Sequence, residues 1–162
     1  MITVRRIQAG EIELYRQIRL ASLKDAPYAF ETTYDSALQR SDEMWRERVE
    51  DTAQGTNGAT FLAFSDDLPV GLAALVHLKD QAGVGELMQV WISPDQRGTG
   101  AAWKMMDSVF EWAGANNIHK IIAGVIKGNT RALTFYTRYG FSVMDESAQS
   151  DSDSVYLVKE VT

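Results

Sequence analysis

Residues 96–102 of the chain combine residue types that suit the binding of an anion. Their sequence is QRGTGAA, which follows an apolar run, LMQVWISP, and precedes a stretch with helical spacing, WKMMDSVFEWA. A helix N-terminus leaves its first N–H groups unpaired and carries a partial positive charge. Gly98 and Gly100 let such a backbone approach a phosphate without a Cβ in the way, and Arg97 adds a permanent cation. The other interpretation, an ordinary strand-to-helix turn that uses glycine for its geometry, fits these residues equally well.

The segment matches neither of the two best-known phosphate-binding motifs, and the composition excludes several other chemistries. It lacks the Lys-Ser/Thr ending of the P-loop and the GxGxxG spacing of dinucleotide-binding loops. The chain has no cysteine, which excludes a disulfide, a thiolate nucleophile and a Cys-ligated zinc. His77 and His119 are its two histidines, too few for a His-rich metal site, so we expect no metal.

Charge and hydropathy restrict the partners and the location. The formal net charge of −6 argues against a nucleic-acid backbone as partner. No apolar run reaches the roughly 18 residues that a membrane span needs, and no apolar segment typical of a secretory signal follows Met1. We therefore expect no membrane partner and a cytoplasmic location.

The elements that must position residues 96–102 follow from hydrophobic periodicity and turn residues. The strands are predicted at residues 2–7, 59–65, 70–78, 86–93, 120–126, 141–146 and 155–161. The helices are predicted from residue 11 to before Pro27, at 41–50, from residue 102 to Asn116, and at 130–139, whereas residues 27–40 have no clean period.

The order β-α-α-β-β-β-α-β-α-β-β predicts one mixed α/β domain that spans residues 1–162. Its expected architecture is a central twisted mixed sheet of about seven strands flanked by about four helices. The strands at 86–93 and 120–126, with the helix between them, form a β-α-β unit. We expect these two strands to be parallel and joined by a right-handed crossover.

Two motifs in the second half of the chain point to a family. Residues 97–102 are RGTGAA, and residues 129–141, about 30 positions later, are NTRALTFYTRYGF. Together they resemble the two signatures of the GNAT superfamily of acetyl-CoA-dependent N-acetyltransferases, R/Q-x-x-G-x-G/A and N-x-x-A-x-x-F-Y-x-x-x-G-F. Ala102 stands where glycine is commoner in that family, which allows this replacement. The resemblance covers residues 86–161 well and residues 1–58 loosely.

The resemblance implies that acetyl-CoA, or CoA, lies in a gap between the strands at 86–93 and 120–126, which part in a V. An extended, amide-bearing pantetheine arm would pair with the backbone of Val90 and Ile92. The backbone amides from Arg97 to Ala102 would hold the pyrophosphate. The cofactor-binding residues predicted in this way are Val90, Trp91, Ile92, Arg97, Gly98, Thr99, Gly100, Ala101, Ala102, Asn129, Ala132 and Tyr136.

Several of these residues have a structural alternative. Asn129 fits either a polar contact to the cofactor arm or an N-cap of the helix at 130–139. Trp91 and Trp103, on either side of the glycine-bearing segment, are interpreted first as packing residues. Four cations are candidates for the 3′-phosphate of the cofactor, although most surface cations only improve solubility: Lys104, Lys127, Arg131 and Arg138.

The resemblance also implies the catalytic residues. Tyr136 occupies the position of the family's general acid, which protonates the departing thiolate, whereas Tyr139 and Tyr156 lie outside that position. Glu86 occupies a strand position where some members carry a base that deprotonates the amine, directly or through water. The alternative for Glu86 is a solvated carboxylate at the start of a strand.

The expected function is transfer of an acetyl group from acetyl-CoA to a primary amine of a small molecule, by direct attack. The acidic chain makes a polyamine or another cationic amine a plausible acceptor. The alternatives are acetylation of protein or peptide amines and a non-catalytic acyl-CoA-binding or sensing domain. The acceptor is expected to contact residues 12–50 and the loops at 79–85 and 147–154. A homodimer stays open as an alternative, because four aromatic residues expected at the surface hint at an interface: Tyr28, Phe30, Tyr34 and Trp45.

Overall fold

The computed structural model describes residues 1–145 and 153–162, which form a seven-stranded sheet with helices on both faces. The strands are β1 Ile2–Arg6, β2 Gly58–Ser65, β3 Leu68–His77, β4 Val84–Ile92, β5 Lys120–Ile126, β6 Ser142–Val143 and β7 Ser154–Glu160. The helices are α1 Ile12–Asp25, α2 Tyr34–Leu38, α3 Asp42–Gln54, α4 Ala101–Ala115 and α5 Thr130–Tyr139. Short 3-10 turns occupy Pro27–Ala29 and Pro94–Gln96.

The strand order β1-β2-β3-β4-β5-β7-β6 places β4 and β5 at the centre of the sheet. These two strands are parallel, as predicted, while every other neighbouring pair is antiparallel. The β4–β5 pairing runs from Val84 opposite Lys120 to Leu87 opposite Ala123 and then stops. Both strands continue beyond that point, β4 to Ile92 and β5 to Ile126, so the parallel pair is splayed.

A β-bulge in β4 accompanies the separation of the two strands. Met88 pairs with Ala74 and Trp91 with Leu72, so two residues of β4 stand against Ala73 of β3. The first of the two, Gln89, has a φ of 60°, a left-handed conformation that is uncommon for a residue other than glycine. A bulge bends the strand that carries it and increases its twist. The end of β4 is thereby turned away from β5.

Alternating side chains of the sheet build a core on each face. On one face, Phe61 and other apolar residues of the sheet pack with α4, whose buried positions Met105, Met106 and Val109 lie on one helical stripe. On the other face, Leu62 and its neighbours pack with α1 and α3. The two cores hold both the helix that begins after residues 96–100 and the helices near the splayed strands.

The structure differs from the sequence-based expectation in a few elements. Residues 27–40, which have no clean period, contain a 3-10 turn and the short helix α2, whose N-cap Thr33 accepts a hydrogen bond from the Ser36 N–H. The strand expected at 141–146 is reduced to Ser142–Val143 within the described residues. Most of the loop expected at 147–154 lies outside the described residues. None of the helices in the described parts of the chain is long and apolar enough to cross a membrane.

The expectation that Trp45 is exposed is wrong. Its side chain is 1% exposed, because it packs edge-on against Tyr15 in the core between α1, α3 and the sheet. Phe30 and Tyr34 are partly buried, and Tyr28 alone of the four aromatic residues is exposed. These four aromatic residues therefore give little support to a homodimer.

Candidate active site

Two adjoining cavities with shared lining residues lie where β4 and β5 separate. The first, here called the large cleft, has a volume of about 700 Å³, and the second, the small cavity, has about 360 Å³. The large cleft is lined by the C-terminal half of β4, the residues before α4, and α5. The small cavity is lined by residues of α1, α3, β4, β5 and β7. The residues that line both are Ala29, Phe30, Val90, Asn129, Ala132 and Tyr136.

Unpaired backbone amides border the large cleft at the start of α4. Gly98 and Gly100 have φ values of 81° and 87°, and no atom lies within 4 Å of where a Cβ would be on either residue. Among the described residues, no backbone carbonyl or side chain accepts from the N–H groups of residues 98–103. Lys104 is the first whose N–H closes a helical hydrogen bond, to the Gly100 carbonyl at 3.0 Å. The glycines therefore supply a left-handed backbone at the edge of the large cleft, with consecutive N–H groups that have no internal acceptor.

The neighbouring predicted residues have less to offer an anion. The Arg97 N–H already donates to the Pro94 carbonyl, and the Arg97 guanidinium is bound elsewhere. The side chain of Ala101 is buried, and the Thr99 hydroxyl donates to the Gln96 carbonyl at 2.6 Å. Thr99 and Ala101 can therefore contribute their backbone N–H groups, while their side chains maintain the loop.

Asp25, at the end of α1, holds two residues that line the large cleft. This residue was not singled out from the sequence. Its Oδ2 accepts from the indole Nε1 of Trp91 and from Nη2 of Arg97, both at 2.9 Å. Arg97 also donates through Nε to the Ile92 carbonyl at 3.1 Å. The guanidinium of Arg97 thus joins α1, β4 and the segment before α4. This arrangement differs from the expectation that Arg97 directs its charge at a phosphate.

We expect Asp25→Ala to destabilise the fold by about 1–2 kcal/mol, because two donors lose a charged acceptor that is partly screened by solvent. The same change frees the segment before α4, so KM for the acetyl-CoA that the resemblance implies should rise as well. Urea unfolding and steady-state kinetics measure the two effects. The control is Asp51→Ala, which removes an exposed carboxylate on α3. Equal effects of the two substitutions on stability would contradict a bridging role for Asp25.

Tyr136, on α5, lies at the junction of the two cavities and is 6% exposed. Burial raises the pKa of its hydroxyl above the ordinary value, so the phenol is protonated at neutral pH. No side-chain hydrogen bond holds this hydroxyl within the described parts of the chain. Tyr139, one turn further along, donates instead to Oδ1 of Asp107 at 2.7 Å. The two tyrosines of α5 are thus in different situations, one at the cavities and one bound to a surface carboxylate.

Asn129 lies at the mouth of both cavities and caps α5. Its Oδ1 accepts from the Ala132 N–H at 3.3 Å, which satisfies the N-cap alternative. Asn129 also lines both cavities, as Ala132 does. Of the four cations considered for a 3′-phosphate, Arg131 and Arg138 line the large cleft. Lys104 donates through Nζ to the Ile2 carbonyl at 2.6 Å, away from this role.

Glu86 lines the small cavity rather than the large cleft. It lies on β4 between Val76 of β3 and Ile122 of β5, in the last stretch where β4 and β5 are paired, and it is partly buried. Val90, Trp91 and Ile92 border the large cleft from the splayed end of the same strand.

Sequence reasoning missed several residues of the small cavity. Gln89, the bulge residue, accepts a hydrogen bond from the Tyr15 hydroxyl at 2.8 Å. Arg19, Arg40 and Arg48 also line this cavity. In the parts of the chain that the structure describes, no three His, Cys, Asp or Glu side chains come together as a metal site, and the expectation of no metal stays a prediction.

Comparison with known proteins gives the arrangement a family. The sequence profile of the acetyltransferase (GNAT) family matches residues 20–141. The L-methionine sulfoximine/L-methionine sulfone acetyltransferase of Pseudomonas aeruginosa is 24% identical over 144 residues, 82% of this chain and 83% of that protein. The spermidine N(1)-acetyltransferase of Escherichia coli is 28% identical over 120 residues, 74% of this chain and 61% of that protein.

Solved structures show the same fold. The PaiA N-acetyltransferase of Thermoplasma acidophilum, in complex with coenzyme A, has a TM-score of 0.81 at 18% identity and covers 99% of both chains. A GNAT acetyltransferase of Streptococcus pneumoniae has a TM-score of 0.80 at 19% identity over 100% of both chains. The profile match covers more than half of the chain, and it includes both motifs that border the cavities up to residue 141. The chain therefore belongs to the acetyltransferase (GNAT) family of acetyl-CoA-dependent N-acetyltransferases.

Proposed function

We propose that the chain transfers the acetyl group of acetyl-CoA to a primary amine of a small molecule by direct attack. The observation that carries the proposal is the meeting of the two cavities at Tyr136, a protonated phenol between a donor-lined cleft and a second space. The small cavity, about 360 Å³, has the volume of a small-molecule site. The names of two relatives, which act on methionine sulfoximine or sulfone and on spermidine, support a small acceptor for this chain too.

The residues of the large cleft fit acetyl-CoA. The unpaired N–H groups of residues 98–103 supply donors for a pyrophosphate, next to the partial positive charge at the start of α4. The edge of β4 beyond Leu87 has no β5 partner and can accept an extended, amide-bearing arm at Val90. Arg131 and Arg138 border the same cleft and are candidates for the 3′-phosphate. When bound, acetyl-CoA supplies a thioester that an amine can attack.

The transfer requires two proton movements, for which the chain has candidate residues. A C–N bond forms and a C–S bond breaks, the amine loses a proton, and the sulfur gains one. Tyr136 is proposed to donate the proton to the sulfur, because it lines both cavities and its phenol is protonated at neutral pH. Glu86 is proposed to accept the amine proton, directly or through water, from the small cavity that it lines. The chain has no cysteine, which agrees with direct attack of the amine without a covalent acyl-enzyme.

An acetylation screen tests this proposal. The purified chain is mixed with acetyl-CoA and single amines, namely polyamines, amino acids, aminoglycosides and N-terminal peptides, and free CoA is measured with a thiol reagent. The proposal expects release that depends on a small amine. Stabilisation of the fold by acetyl-CoA without any amine-dependent release would instead indicate a binding or sensing domain.

We expect Glu86→Gln to lower kcat/KM about tenfold at pH 7, less than the usual effect of removing a general base because water can also accept the proton. The deficit narrows as pH rises toward the pKa of the amine, since more of the amine is then already neutral. A pH profile of kcat/KM measures this. Glu31→Gln is the control, because Glu31 also lines the small cavity but lies before α2 and not on a strand. A constant ratio between Glu86→Gln and wild type at every pH would exclude Glu86 as the base.

A further inference from the structure

We propose that the acetyl acceptor carries a carboxylate, as an amino acid does, and that Arg19, Arg40 and Arg48 bind this group in the small cavity. The proposal rests on the proposed function, because it names the class of molecule that would occupy the second space. It assigns a binding site to three residues that the acetyl-transfer chemistry does not use.

The three arginines have no carboxylate partner, unlike Arg16 and Arg46, which lie on α1 and α3 beside them; Arg6, Arg131 and Arg138 also form no ion pair in the described residues. Arg5, Arg16, Arg46 and Arg97 each form an ion pair with an Asp or Glu. Arg19, Arg40 and Arg48 form none within residues 1–145 and 153–162, although all three line one cavity. Unpaired cations that converge on a concave surface make that surface attractive to an anion.

Arg19 shows the missing partner most clearly. Its side chain lies in the body of the protein, with the residue 4% exposed, and its Nε is buried without any hydrogen-bond partner. Its Nη1 donates one long hydrogen bond to the Ser22 Oγ at 3.4 Å, and its Cζ lies 4.7 Å from the ring centroid of Phe30. Burial of a charge without a counterion is costly, and an anion in the cavity would remove part of that cost. Burial, with the charges of Arg40 and Arg48, lowers the pKa of Arg19 to about 10.

Arg40, in the residues between α2 and α3, repeats the pattern. It precedes Ser41, the N-cap of α3, and its guanidinium lies 5.2 Å from the ring centroid of the buried Trp45. Its Nη1 is buried without a partner, and burial together with the charge of Arg48 lowers its pKa. The ring of Trp45 covers the face of this guanidinium and Nη1 is buried, so a carboxylate would contact Arg40 through the edge formed by Nε and Nη2.

The charge of the cavity lining favours a zwitterionic acceptor over a polyamine. Glu86 and Glu31 line the cavity together with the three arginines, so cations outnumber carboxylates there, although the whole chain carries −6. An amino acid would direct its amine toward Glu86 and Tyr136 and its carboxylate toward the arginines. A polyamine would bring further positive charge against them.

Matched amines test the proposal. L-leucine, L-phenylalanine and L-methionine sulfone are compared with their primary amides, their decarboxylated amines, spermidine and phosphoethanolamine. We expect kcat/KM for the free acids to exceed that of the amides at least about tenfold, the worth of one hydrogen bond to a charged group. Arg40→Gln/Arg48→Gln lowers kcat/KM for the acids by a similar factor and leaves the amides and KM for acetyl-CoA unchanged. Arg46→Gln, an exposed arginine of α3, is the control with no effect.

Binding without turnover separates this proposal from the proposed function. Calorimetric titration of the CoA-loaded protein with N-acetyl-L-leucine, N-acetyl-L-phenylalanine and N-acetyl-L-methionine sulfone is expected to show binding that Arg40→Gln/Arg48→Gln weakens and Arg46→Gln does not. If amides, spermidine or phosphoethanolamine are acetylated as well as the acids, the carboxylate proposal is overturned while the acetyltransferase function stands. If no amine releases CoA, the proposed function fails, and the titration alone decides: no binding of these acids, or binding unaffected by the double substitution, overturns the arginine site.

Discussion

Tyr136→Phe is expected to lower kcat about 10²- to 10³-fold with little change in KM for acetyl-CoA, the effect typical of losing a general acid. Tyr136 lines both cavities, and its hydroxyl has no hydrogen bond in the described residues. Phenylalanine keeps the ring, which packs edge-on against Phe135 and Phe141. The loss is therefore one of proton donation, and the thiol-release assay at saturating acetyl-CoA measures it.

Tyr139→Phe is the matched control, since it removes a hydroxyl one turn away on the same helix. That hydroxyl donates to Asp107, and the ring packs with Trp103 and Phe110 outside the junction of the cavities. We expect kcat to stay near the wild-type value. Equal losses from the two substitutions would show that α5 responds to a general disturbance and that Tyr136 is not the acid.

The pH profile gives an independent check on Tyr136. Burial raises its folded-state pKa above the ordinary value of about 10, so the protonated form persists through the neutral and mildly alkaline range. Loss of the proton disables an acid, so any activity loss from this group belongs above pH 10 or so. A decline in wild-type kcat below that pH that disappears in Tyr136→Phe would contradict the raised pKa.

The features that the sequence predicted well are those that depend on local backbone chemistry. The N-cap role of Asn129, one of the two roles that the sequence left open, is present in the structure. Gly98 and Gly100 are left-handed, which fits a turn that uses glycine for its geometry. The parallel β4–β5 pair follows from the β-α-β order and its handedness. Trp45 was misjudged although a signal was present, since Val49, four residues later, lies on the same buried face of α3.

The features that it could not predict depend on how distant elements meet. The left-handed Gln89 follows from the register of β4 against β3, and glutamine itself has no preference for that conformation. The ion pair of Arg97 needs Asp25, which is 72 positions away. Net charge is a sum over the whole chain. It cannot show that Arg19 of α1, Arg48 of α3 and Arg40, which precedes α3, line one cavity. These contacts can be predicted only when the packing of α1 and α3 on the sheet is known.

The second large effect is expected at the unpaired amides before α4. Gly100→Ala should raise KM for acetyl-CoA about 10- to 100-fold, the worth of one or two hydrogen bonds to a charged group, while kcat at saturation stays near wild type. Alanine is strained at a φ of 87°, by roughly 1–2 kcal/mol, so the backbone that directs the N–H groups relaxes. The open space around this Cβ shows that no internal clash adds to that effect.

Gly10→Ala separates the loss of anion binding from the strain itself. Gly10 has a φ of 86° and, like Gly100, no atom within 4 Å of a Cβ, but it lines neither cavity. The two substitutions should lower the urea midpoint by similar amounts, because the same backbone strain is introduced in both. KM for acetyl-CoA should rise in Gly100→Ala and stay unchanged in Gly10→Ala. If KM rises equally in both, the unpaired amides of residues 98–103 do not hold the pyrophosphate, and the glycines before α4 serve the turn alone.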